Sequence, residues 1–173
     1  RGDTLHYGDN RPKYIRWAIF TLLVVGACVL QNASGSLLEI FGARVFLLIP
    51  VCVSVAMFER EVPSAIIGAF AGVMWDISSG ADGYNALVIM LLCAGVSLLI
   101  SHLMRNNIVT ALVLGAGATF VYEFIYIIRI AFAGNPIYSI LTFYLPSLIL
   151  TVVFMPVCYY IIKTVYHSFK VTE

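Results

Sequence analysis

The chain has 173 residues, of which 61% are hydrophobic and only 11% charged, with a net charge of +1. Soluble domains carry about 25% charged residues, so a water-solvated core and a disordered chain are both excluded. Near-zero net charge leaves no basic face for nucleic acid, and the mean hydropathy of +0.97 points to the bilayer as solvent.

Residues 1–13 are polar and charged and read as a cytoplasmic tail. No small-residue cleavage site closes the first apolar run, so that run is expected to remain in the mature protein. A membrane-crossing helix needs about 20 mostly apolar residues. The first candidate spans 14–33, with Trp17 at its start as an interfacial aromatic. The second spans 41–58, with Arg44 near its start and Pro50 in its middle, and Glu59-Arg60-Glu61-Val62-Pro63 breaks it. The third spans 64–79 and runs into a Ser/Gly-rich turn. The fourth spans 84–103 and closes on His102, Arg105, Asn106 and Asn107. The fifth spans 108–132 and carries Glu123 and Arg129. The sixth spans 137–162, where Pro146 and Pro156 are both expected to kink it.

The expected fold is therefore an all-α polytopic membrane protein. It has six transmembrane helices over 14–165 and a short cytoplasmic tail at 166–173. The apolar runs are continuous, which argues against a membrane barrel. Orientation follows from the cations. With the N-terminus inside, eight of the ten Lys and Arg residues fall on cytoplasmic segments, so both termini are expected in the cytoplasm.

Polar residues inside the apolar runs are the functional candidates, because each is costly in hydrocarbon. Gly68, Gly72 and Asp76 recur every four residues and form one ridge of helix three. The two glycines permit close helix approach, within the chain or with a partner. Ala111, Gly115, Thr119 and Glu123 repeat the device on helix five. Asp76 is expected to be held by hydrogen bonds from Ser78, Ser79 or Asn85, with Arg44 or Arg129 as a possible ion partner. Asp76→Asn should then be tolerated. Glu123 is expected to hydrogen-bond Tyr122, Tyr126 or another helix. Arg129, six residues on, points elsewhere around the helix and snorkels toward headgroups.

Enzyme signatures are thin. His6, His102 and His167 all lie outside the spans, and no zinc, nucleophile-elbow or phosphate-loop motif occurs. Cys28, Cys52, Cys93 and Cys158 are dispersed in apolar runs and read as small core residues. No metal or cofactor is expected.

The stretch from Phe58 to Leu92 combines Glu59-Arg60-Glu61, Gly68-Ala69-Phe70-Ala71-Gly72, Asp76 and Gly83-Tyr84-Asn85-Ala86-Leu87. This passage resembles the rod-shape-determining MreD family. The resemblance covers the whole chain in architecture, and helices three and four in residue detail. The tail of residues 1–13 and the charge of Arg44 depart from the family pattern. The resemblance implies a non-enzymatic component of the bacterial cell-elongation machinery in the cytoplasmic membrane. It implies a bitopic MreC-like partner, with the MreB filament, RodA and a class B penicillin-binding protein nearby. It also implies a fold similar to the S-components of energy-coupling-factor transporters. A vitamin-binding S-component is the alternative reading, with Trp75, Asp76, Asn85, Tyr122, Glu123 and Tyr126 as candidate lining.

Overall fold

The computed structural model describes residues 11–33, 39–40, 43–44, 46–80, 83–103, 105–131 and 145–168. Among the described residues six helices alternate in direction: α1 (Arg11–Asn32), α2 (Leu48–Phe58), α3 (Glu61–Ser79), α4 (Tyr84–His102), α5 (Ile108–Ala131) and α6 (Leu145–Ser168). Between α1 and α2, β1 (Glu39–Ile40) pairs antiparallel with β2 (Ala43–Arg44), with Glu39 opposite Arg44. The bundle's near end is where α1 begins and α6 finishes. There the Arg16 guanidinium lies 4.9 Å from the centre of the Tyr166 ring, so α1 starts on the same side as α6 ends.

Five helices are long and apolar enough to cross a membrane, and α2 is not. The expected span over 41–58 is thus corrected to 11 helical residues, about 16 Å against a hydrocarbon core of about 30 Å. It can be short because it never meets lipid. Ten of its residues are buried, and it touches each of the other five helices. Positions 43–44, expected as helix, belong to β2.

Proline explains where several helices begin. Pro12, Pro50, Pro63 and Pro146 each lie in the first turn of α1, α2, α3 and α6. A first-turn N–H has no intrahelical acceptor, so proline loses nothing there and its fixed φ suits the helix. Pro50 therefore starts α2 instead of interrupting it, and Pro146 opens α6 instead of kinking it. Pro156 alone among these lies inside its helix. The expected stretch of helix six over 137–144 lies outside the described residues. At the ends, α1 starts inside the expected tail and α6 continues to Ser168.

A helix ending inside the bundle needs partners for its terminal backbone groups. Neighbouring helices and the connection between α4 and α5 supply them to α2. The Leu48 N–H donates to Gln31 Oε1 at 3.0 Å, and the Phe46 N–H to Thr151 Oγ1 at 3.3 Å. At the other end, Asn106 Nδ2 donates to the Met57 carbonyl at 2.9 Å, and Ser97 Oγ to the Glu59 carbonyl at 2.8 Å. Tyr159 Oη donates to Asn106 Oδ1 at 3.2 Å and holds that amide in place.

The Glu59 side chain, just past α2, forms an ion pair with Arg16 Nε at 2.7 Å. Both side chains are nearly buried, at 5% and 11% exposure. Burial pushes the Glu59 carboxyl up from its ordinary range, and the Arg16 charge pulls part of that rise back. Arg16→Gln removes that compensation. A carboxyl held above its unfolded value costs stability as pH rises through the interval between the two. The melting temperature of Arg16→Gln in detergent should fall as pH rises above the ordinary carboxylate range. Adding Glu59→Gln should restore stability and flatten that dependence. A double variant no more stable than Arg16→Gln at high pH would sink this account.

Candidate functional site

The ridge on α3 packs within the chain. A Cβ on Gly68 would sit 2.8 Å from Cys93 Sγ and 3.0 Å from the Ile89 carbonyl. A Cβ on Gly72 would strike the Ala86 Cα and lie 2.6 Å from the Asn85 carbonyl oxygen. One turn earlier, Ser64 Oγ donates to the Cys93 carbonyl at 3.0 Å. Ser64, Gly68, Gly72 and Asp76 thus form one continuous seam against α4.

Asp76 completes the seam. The N-cap of α4 is Gly83, at φ 76° and without a side chain to offer. The N–H groups of the first turn must find an acceptor elsewhere. Asp76 Oδ1 accepts from the Asn85 N–H at 3.1 Å, and Oδ2 from the Ala86 N–H at 2.9 Å. A carboxylate also suits the positive end of the helix dipole. Gly72 makes this possible, because the close approach it allows brings the α4 backbone within reach of a side chain one turn on. Of the expected partners, Asn85 is used, through its backbone. Ser78 and Ser79 instead donate to carbonyls of their own helix, at Met74 and Trp75. The side chains of Arg44 and Arg129 lie outside the described residues.

The far end is built around this corner. Tyr122 Oη donates to Asn85 Oδ1 at 2.8 Å, joining α5 to α4. The Tyr122 ring stacks on Trp75 at 5.1 Å between centroids, and Phe46 closes the trio at 5.3 and 5.7 Å. Four residues expected to line a ligand cavity, Trp75, Asp76, Asn85 and Tyr122, are therefore brought together and bonded to one another. Tyr126 is partly exposed.

On α5, Ala111, Thr119 and Glu123 are buried, and a Cβ on Gly115 would sit 2.8 Å from Met155 Sδ of α6. This second ridge also packs inside the chain. Thr119 Oγ1 donates to the Gly115 carbonyl at 2.8 Å. Glu123 is 4% exposed, and its Oε1 has no hydrogen-bond partner among the described residues. The Tyr122 hydroxyl, one of its expected partners, donates to Asn85 Oδ1.

Sequence reasoning missed Arg16, Gln31, Glu59, Ser97, Asn106, Thr151 and Tyr159. Apart from Tyr159, in the interior of α6, these are polar residues within two turns of helix ends, and each looks like ordinary interfacial composition until α2 is known to end inside the bundle. All four cysteines are free and buried. Among the described residues no group of three His, Cys, Asp or Glu side chains could hold a metal ion.

The family model for the rod shape-determining protein MreD matches residues 12–169, nearly the whole chain. The chain belongs to the MreD family. It is thereby a multi-pass membrane protein of a family that determines rod shape and is not known for enzymatic activity. Comparison with curated proteins and with solved structures returns no match. The match includes the Gly68–Gly72–Asp76 seam, the Asn85 corner and all six helices from α1 to α6.

Two predictions follow from the seam. Gly72→Leu forces α4 away and should strongly reduce detergent-extracted, monodisperse protein, whereas Gly117→Leu, where an added Cβ meets nothing within 4 Å, should fold normally. Equal yields would contradict the seam. At Asp76, asparagine keeps one carbonyl acceptor but places an NH2 where the second N–H needs one. Asp76→Asn should therefore cost about 1–2 kcal/mol and Asp76→Leu about 2–4 kcal/mol, since leucine leaves both donors unsatisfied. The order of their melting temperatures checks this.

Proposed function

We propose that the protein is a non-enzymatic component of the bacterial cell-elongation machinery that binds an MreC-like bitopic partner in the cytoplasmic membrane. The observation that carries this reading is the family match over 12–169, which takes in the whole described bundle. The chemistry agrees. The polar side chains of the far end are spent on joining helices, as Asp76, Asn85, Tyr122, Gln31 and Thr151 illustrate. The vitamin-binding reading has less support, because the residues it needs as lining stack and hydrogen-bond on each other. MreB, RodA and a class B penicillin-binding protein are then indirect neighbours in the same assembly.

Orientation belongs to the same proposal. Lys13, Arg16, Arg60, Arg105 and Lys163 all belong to the near end, where α1 starts and α6 ends, and by the positive-inside rule this supports a cytoplasmic placement of that end.

Affinity purification of the tagged protein from its own membrane should co-purify a single-span, coiled-coil partner. Deletion of the gene should round the cells, and the wild-type gene should restore rods. A reporter fused after Glu173 should be active only as a cytoplasmic reporter. Rods that persist without the gene, or a bound vitamin in place of a protein partner, would overturn the reading.

A further inference from the structure

The near end holds a cavity of about 390 Å³ where α2 ends, α3 begins and α4 ends. Its floor is apolar, from Met57, Phe58 and Ile100, and its polar wall is Arg60, Glu61, Ser101 and His102. Glu59 also lines it, but that carboxylate is already matched by Arg16. One cation and one anion therefore remain side by side. Ser101 Oγ donates to Glu61 Oε1 at 2.9 Å, which fixes the carboxylate at the rim. His102 holds Nδ1 against the Ser101 hydroxyl at 3.1 Å and the Leu98 carbonyl at 3.2 Å. In the tautomer whose Nδ1–H donates, Nε2 is left as the ring's acceptor. The next residues along each helix, Val62 and Leu103, are 69% and 76% exposed, as lipid-facing side chains would be. The cavity thus opens where the apolar belt gives way to the charged end.

We propose that this cavity binds the headgroup of a phospholipid carrying a primary ammonium, of the phosphatidylethanolamine type, drawn from the surrounding bilayer. Arg60 takes the phosphate. Glu61 and His102 Nε2 accept hydrogen bonds from the ammonium, and the apolar floor takes the start of an acyl chain. The volume, at the low end of small-ligand cavities, suits a headgroup. The choice among lipids follows from the donors. A choline headgroup has the same charges but no N–H, so it makes no hydrogen bond to Glu61 or to His102 Nε2.

The test reconstitutes the full chain in bilayers holding equal amounts of phosphatidylethanolamine and phosphatidylcholine with identical acyl chains. Native mass spectrometry then counts the lipids retained after mild detergent extraction. The wild type should retain one phosphatidylethanolamine in preference to phosphatidylcholine. Arg60→Gln and Glu61→Gln should each weaken that retention about tenfold, the factor carried by about 1.4 kcal/mol. Both variants should keep the wild-type melting temperature in pure phosphatidylcholine, which separates loss of lipid from loss of fold. Equal retention of the two lipids, no retained lipid, or undiminished retention by the variants would each overturn the proposal. A polypeptide occupying the cavity would be seen as protection of S101C from a maleimide in cells but not in phosphatidylethanolamine bilayers, and that result would overturn it too. The native thiols are all buried and should not obscure that label.

Discussion

Hydrocarbon supplies no hydrogen bonds, and the architecture follows from how this chain meets that constraint at helix ends it places inside the bundle. The helix α2 is the extreme case. It is half the length of a spanning helix, yet its ends are not raw, because Gln31, Thr151, Ser97 and Asn106 reach in from four directions. Each unsatisfied buried amide or carbonyl would cost about 1–3 kcal/mol, so these four side chains decide whether a short central helix can exist at all. With α2 in place, the other five helices have a common apolar post to pack on.

The same logic operates at the start of α4. A glycine N-cap leaves its first turn without an acceptor, and the acceptor comes from the previous helix. Because Gly72 and Asp76 lie one turn apart, close backbone approach and carboxylate capping are a single arrangement. The α3–α4 pair is consequently the most intimate in the bundle, and Asn85 passes the connection on to Tyr122 of α5. The polar residues that would have suggested a catalytic or ligand site are thus structural at one end. At the other end a mixed-charge cavity lies where α2 ends, α3 begins and α4 ends.

The two intramembrane acids contrast instructively. Asp76 accepts from two backbone donors, whereas Glu123 Oε1 accepts from none among the described residues, although both sit at the end of a four-residue small-side-chain ridge. Gly115 brings α5 against the flexible Met155 side chain of α6, so no helix start is delivered to the acid. Gly72 brings α3 against the backbone at a helix start, where N–H groups are free. Identical spacing therefore yields different chemistry, according to what the neighbouring helix presents.

The sequence alone determined the solvent, the helical class, five of the six helices and the family. Those follow from composition, from apolar run length and from the Glu59–Leu87 passage, all of which are local. The first-turn meaning of Pro12, Pro50, Pro63 and Pro146 was legible only once the helix bounds were seen. Tertiary structure alone decided that α2 is short and central, since an apolar run reads the same whether lipid or protein surrounds it. It also decided that Asp76 caps α4, and that Arg16 pairs with Glu59. Those partners are joined across helices that pack side by side, and no periodicity along one segment encodes which side chain waits on the next.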